Sequence, residues 1–194
     1  MVEPNILNRS KEIIGDTPEY ESLYYENAGE FDNGVLVNEY LQTSNENIFA
    51  IGDIVNFPFN SETGRLRLES IQNANDQAKI VANNIIAIRI KKKLLKYSPI
   101  PWFWSDQFHI KLQMTGLSAG YDELVHRGSD DFDQQLESGF ALFYFREGKM
   151  IAADCIARPK EFMVSKNLIK NAVTVDPAVL KDESVEPINF QSPI

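Results

Sequence analysis

One cysteine, Cys155, occurs in 194 residues. That excludes an intramolecular disulfide, a Cys-x-x-Cys redox pair and a thiolate zinc site. Two histidines, His109 and His126, are too few for a histidine-rich metal centre, so no metal is expected. No apolar run approaches the roughly 20 residues that span a bilayer. Residues 1–15 also lack the basic start and apolar stretch of a secretory signal, and the expectation is a cytoplasmic protein with no membrane contact. Positive charge is scarce as well: 19 Lys and Arg stand against 28 Asp and Glu, a formal net charge of -9. Nucleic acid is therefore not an expected partner, since phosphate neutralisation needs a basic excess. Neither Gly-x-Gly-x-x-Gly nor a P-loop occurs anywhere, so a bound nucleotide would lack its usual phosphate cradle.

What is present is an ordinary globular composition, 43% hydrophobic, in a chain long enough for one large domain or two small ones. Residues 1–32 are polar and without sustained period. Asp32-Asn33-Gly34 signals a turn, and Val35-Leu36-Val37 reads as a short strand. A second strand is expected over Ile48–Gly52, followed by a loop from Asn56 to Gly64. Residues 70–90 carry the clearest helical period, with Ile71, Ala74, Ala78, Val81, Ala82, Ile85 and Ile86 predicted to form one buried face. Ser70 is placed to cap its start. Lys91, Lys92 and Lys93 at its end complement the helix dipole, with a partner-docking patch as the alternative. Ser98-Pro99-Ile100-Pro101 marks a domain junction, dividing the chain into 1–97 and 98–194.

Beyond the junction, Phe108, Ile110, Leu112 and Met114 alternate with polar residues, as a half-buried strand should. Tyr121–Arg127, Phe140–Phe145 and Met150–Ala157 read as further strands, the last two joined by a turn at Glu147-Gly148-Lys149. Pro159 opens a helix whose inner face carries Phe162 and Ile169. An extended acidic tail closes the chain. The fold class read from this pattern is α/β plus α+β, the second half being an antiparallel sheet with one covering helix.

Three motifs bear on chemistry. Gly116-Leu117-Ser118-Ala119-Gly120 matches the Gly-x-Ser-x-Gly nucleophile elbow, which works only as a strand-to-helix turn. Here a strand is expected to follow, so a hairpin loop is favoured over a serine hydrolase using Ser118 and His126. Pro101-Trp102-Phe103-Trp104-Ser105-Asp106 holds both tryptophans; core packing and a flat aromatic ligand are equally good readings. Asn47-Ile48-Phe49-Ala50-Ile51-Gly52-Asp53 ends a strand on a glycine and a carboxylate. Gly52 would let a ligand approach the backbone, and Asp53 suits a hydroxylated chain such as ribose or ribityl; a simple strand-ending turn is the alternative.

Taken in order, TSNENIFAIGD (43–53), RLRLESIQNANDQA (65–78), PWFWSDQFHIKLQMTGLSAGYD (101–122) and RPKEF (158–162) closely resemble the flavin-dependent ferredoxin reductases of rubredoxin and putidaredoxin type. These belong to the pyridine nucleotide-dependent oxidoreductases. The resemblance covers roughly residues 30–170, and the opening Met-Val-Glu-Pro-Asn resembles the family's GVEPN segment. It implies a C-terminal half: 1–97 the closing part of a FAD/NAD(P)-binding domain, and 98–194 the reductase C-terminal domain. The family's two dinucleotide-binding glycine motifs are absent, which implies a truncated product or a missing N-terminal half encoded elsewhere.

The resemblance further implies FAD as cofactor, NAD(P)H as cosubstrate, and a ferredoxin or rubredoxin-type iron-sulfur protein as partner. It implies that Asp53 accepts from the ribityl chain beside Gly52. It aims the amides at Ser70-Ile71 toward the flavin N1–C2=O edge, and sets Trp104 near the isoalloxazine. No catalytic side chain is assigned. Arg65, Arg67 and the Lys91–Lys96 cluster are the basic candidates for meeting an acidic partner. The chain alone is expected to be inactive. The alternative is a non-enzymatic module for redox-partner binding or dimerisation, and the serine hydrolase at Ser118 comes third.

Overall fold

Asn33 and Gly34 both take positive φ, 50° and 121°, and turn the chain into strand β1 (Val35–Leu36). A computed structural model describes residues 33–60 and 64–190. The polar segment 1–32 and its Met-Val-Glu-Pro-Asn start lie outside the described residues. The chain divides into two compact units, one ending at Ser98 and the next beginning at Pro99.

In the first unit, β1 pairs parallel with β2 (Val55–Asn60), which pairs antiparallel with β3 (Gly64–Arg67). The expected loop over Asn56–Gly64 is thus largely a hairpin. Pro58 disguised it, yet it lies beyond the β1 pairing and at a register shift against β3, where a missing N–H is tolerated. The strand expected over Ile48–Gly52 is instead a single bridge, Gln42 to Phe49, followed by a 3-10 turn at Gly52–Ile54. Local side-chain bonds replace a ladder there: Asn38 Oδ1 accepts from the Tyr40 and Gln42 amides, and Asn45 Oδ1 from that of Asn47.

Helix α1 (Ile71–Arg89) starts at the expected cap, with Ser70 Oγ accepting the Asn73 amide at 3.3 Å. It ends in a Schellman motif. Lys91 adopts φ 54°, and the Lys92 amide reaches Ala87 O at 2.8 Å. The buried face is not the predicted one. Gln72, Asn73, Gln77, Val81, Asn84 and Ala87 point inward, while Ile71, Ile85 and Ile86 are exposed. The core of this unit is Val35, Val37, Leu41, Val55, Phe57, Val81 and Tyr97.

The second unit is a five-stranded antiparallel sheet in the order β4-β5-β8-β7-β6. Its strands are β4 (Trp102–Gln107), β5 (Ile110–Gly116), β6 (Glu123–Arg127), β7 (Phe140–Arg146) and β8 (Lys149–Ile156). A short helix, α2 (Phe132–Ser138), joins β6 to β7. The expected covering helix is α3 (Pro159–Lys170), with proline in its first turn. Phe162 and Leu168 enter a core with Val125, Phe143, Phe145 and Cys155. Burial pushes the Cys155 thiol up, which keeps it protonated and unreactive.

Two expectations fail here. Gly116–Gly120 is not a hairpin loop, because β5 and β6 are not neighbours; it crosses from inside the sheet to its far edge. Gly116 lies so close to the Ile151 carbonyl of β8 that no Cβ fits. The tail is not extended either. Asp176 caps α4 (Pro177–Lys181), and Leu180 and Phe190 are buried. Buried Arg127 holds this tail, donating to the carbonyls of Leu180, Asp182 and Val185 and pairing with Glu161 at 3.2 Å.

Candidate functional site

Gly52 opens the 3-10 turn at φ 82°, a value that an L side chain rarely adopts. The turn packs against the start of α1: a Cβ on Gly52 would meet only Ala74 Cβ, at 3.9 Å. Two bonds clamp it. The Gly52 amide donates to Gln77 Oε1 at 2.6 Å, and Arg67 Nη1 donates to the Asp53 carbonyl at 3.0 Å. The Asp53 side chain itself is exposed, and no described residue donates to its carboxylate.

Ser70 and Ile71 stand at the end of α1 nearest that turn. The Ser70 hydroxyl takes the Asn73 amide and its carbonyl takes that of Ala74. The Ile71 amide, at the first helical position, is left for an acceptor outside the helix. Partial positive charge at this end favours an anionic ligand edge. Gly52, Asp53, Ser70 and Ile71 are therefore brought together within the first unit. An open glycine turn, a carboxylate acceptor and a helix N-terminus suit a polyhydroxylated chain attached to a ring with an electron-rich edge. That donor and acceptor set fits FAD.

Sequence reading missed the side chains behind the turn. Gln77 and Asn73 are buried at positions where helix periodicity suggested only a polar flank. Gln77 Nε2 donates to Asn73 Oδ1 at 3.2 Å, and Tyr97 donates its hydroxyl to the same oxygen at 2.8 Å. Burial pushes the Tyr97 phenol up and keeps it a donor. The available signal was two amides four residues apart, at Asn73 and Gln77, on one face of a helix.

Trp104 belongs to the second unit. It lies on edge strand β4, is 39% exposed, and stacks on Trp102 with ring centroids 5.7 Å apart. Trp102 turns inward against Phe162, 5.9 Å away, and lies beneath the Lys166 ammonium. The two tryptophans thus divide the readings offered above: Trp102 packs, and Trp104 leaves aromatic surface open. Among the basic candidates, Arg65 is committed to the carbonyls of Val37 and Asn56, and Lys96 pairs with Glu39 at 2.7 Å. Lys91, Lys92 and Lys93 are exposed. Ser118 is followed by strand β6 instead of a helix. His126 faces Asp130 at 3.5 Å, and no described hydrogen bond links it to Ser118. No group of potential metal ligands occurs among the described residues, and no described helix is long and apolar enough to cross a membrane.

Comparison with known proteins gives matches in both units. Residues 102–187 match the family described as Reductase C-terminal, and residues 13–78 match the pyridine nucleotide-disulphide oxidoreductase family. Putidaredoxin reductase of Pseudomonas putida is 39% identical over 154 residues, 79% of this chain and 34% of that protein. Rhodocoxin reductase of Rhodococcus erythropolis is 38% identical over 78% of this chain and 33% of its own length. The chain thus spans about a third of the length of these curated relatives. Among solved structures, a ferredoxin reductase from Rhodopseudomonas palustris aligns with a TM-score of 0.72 at 33% identity, over 84% of this chain and 38% of that one. The reductase in a covalent putidaredoxin reductase–putidaredoxin complex aligns with a TM-score of 0.69 at 38% identity, over 83% of this chain and 36% of that one. By sequence and by fold, the chain is similar to the C-terminal part of ferredoxin reductases, its second unit matching the family described as Reductase C-terminal.

Proposed function

We propose that this chain supplies the flavin-facing wall of an FAD-dependent ferredoxin reductase, which passes electrons from NAD(P)H to a small iron-sulfur protein of ferredoxin or rubredoxin type. The observation that carries this reading is the Gly52–Asp53 turn clamped against the N-terminal end of α1. When bound, FAD supplies the conversion between a two-electron nicotinamide donor and a one-electron acceptor. The protein groups do the rest. Asp53 accepts hydrogen bonds from the ribityl hydroxyls, and Gly52 lets the chain pass close to the backbone. The Ile71 amide meets the electron-rich ring edge, where the helix end favours negative charge. Trp104, on the second unit, keeps exposed aromatic surface of its own.

In this reading the first unit is the closing part of a FAD/NAD(P)-binding domain, and the second is the reductase C-terminal domain. A cytoplasmic setting agrees with a chain whose one cysteine is a buried thiol. Because the 194 residues contain no glycine-rich phosphate cradle, the isolated chain is expected to purify without stoichiometric flavin and to show no NADH-dependent ferricyanide reduction. The test is a hybrid in which this chain replaces the matching C-terminal part of putidaredoxin reductase. A yellow hybrid that oxidises NADH, and loses flavin when Asp53 is changed to Ala, supports the reading. A folded hybrid without flavin contradicts it.

A further inference from the structure

Gln77 is fully buried on α1, and both ends of its amide are used. Its oxygen accepts the Gly52 amide at 2.6 Å and its nitrogen donates to Asn73 Oδ1 at 3.2 Å. Asn73, also buried, donates in turn to the Leu68 carbonyl at 3.0 Å and accepts the Tyr97 hydroxyl at 2.8 Å. Tyr97 is anchored edge-on against Phe57, 5.0 Å away, in the core of the unit. A relay of satisfied polar groups therefore runs from the hydrophobic core to one backbone N–H.

Such a relay is costly to build, since each buried amide left without a partner would destabilise the fold. The amide at position 77 accepts from Gly52 through its oxygen and donates to Asn73 through its nitrogen, and a leucine of similar size can do neither. Fixing the Gly52 N–H inward leaves the Asp53 carboxylate outside, where it is exposed and without a described donor.

We propose that Gln77, braced by Asn73 and Tyr97, is a positioning residue for the flavin site: it sets the Gly52–Asp53 turn, and with it the direction of the Asp53 carboxylate. This rests on the flavin reading above for its purpose, but its geometry is testable apart from it. Amide hydrogen exchange and ¹H–¹⁵N spectra are recorded on the full chain, as wild type, Gln77→Leu and Tyr97→Phe. The Leu95 amide, held by Asn84 Oδ1 on the same helix at 2.7 Å, is the internal control.

In Gln77→Leu, exchange at Gly52 accelerates by about tenfold or more, the scale of one lost hydrogen bond, while Leu95 is unchanged. Tyr97→Phe moves Gly52 the same way by a smaller factor. Unchanged protection of Gly52 in both variants overturns the proposal. So does equal acceleration at Gly52 and Leu95, which would make the relay general core packing. Free FAD is then titrated into the wild-type chain and Gln77→Leu. Shifts at Gly52, Asp53 and Ile71 in the wild type that shrink in Gln77→Leu support the positioning role. Wild-type shifts centred elsewhere count against the flavin reading and leave Gln77 as the residue that sets the turn.

Discussion

The Gly52 amide and the Gln77 side-chain oxygen lie 2.6 Å apart across a sequence separation of 25 residues. That single bond ties an irregular turn to a regular helix. On the other side of the turn, Arg67 holds the Asp53 carbonyl.

Gly52 is required for its backbone conformation and not for space. A methyl group would find ordinary contact with Ala74, but φ 82° is strained for any L side chain. Gly52→Ala should therefore cost about 1–2 kcal/mol. Chemical denaturation of the full chain measures this as a lowered midpoint with an unchanged slope.

Isoleucines on α1 behave differently from what their spacing suggests. Ile85 and Ile86 are 47% and 57% exposed. Replacing either by Ser should change the unfolding free energy by no more than about 0.5 kcal/mol. Phe57→Ala, deep in the same unit, should cost about 3–5 kcal/mol. Paired denaturation curves of these variants separate the two classes.

That contrast shows what was legible in the sequence and what was not. Elements whose local chemistry decides them were readable: the Ser70 cap, the Glu147-Gly148 turn, and α3 opening at Pro159. The direction in which α1 faces was not, because its inner side is built from amides whose partners, Gly52, Tyr40, Leu95 and Tyr97, lie far away in sequence. Pro58 hid β2 for a similar reason, since its tolerance depends on where β1 pairing stops. In the candidate site, Gly52, Asp53, Ser70 and Ile71 could be named from sequence, whereas the side chains that hold the turn could not.

Arg127 ties the C-terminal segment to the sheet. It is nearly sealed from solvent and serves three tail carbonyls as well as Glu161. Arg127→Met leaves Glu161 with Arg158 as its remaining partner, and should cost about 3 kcal/mol. Adding Glu161→Gln should recover part of that loss. Limited proteolysis is expected to cut within residues 176–186 faster in the single variant than in the wild type.

Asp154 gives the second unit a defined pH response. Burial raises its carboxyl above the usual 3.8, against the opposing effect of the Tyr144 hydroxyl, which donates at 2.8 Å. With its folded value raised, the unfolded chain loses this proton first as pH increases. Native stability due to this group is therefore greatest at acid pH and falls as pH rises from the ordinary carboxylate value through the folded one. Asp154→Asn removes that fall, so the variant should be more stable than wild type at neutral pH, with the gap closing toward acid. Thermal unfolding across this pH range is the measurement.

In the function proposed for this chain, Gly52 and Asp53 form one wall of a flavin site. Flavin absorbance of the hybrid with putidaredoxin reductase, with and without Asp53→Ala, tests it most directly. Stoichiometric flavin is expected with Asp53 present, and its loss on substitution. A folded hybrid that retains full flavin without the Asp53 carboxylate would contradict it.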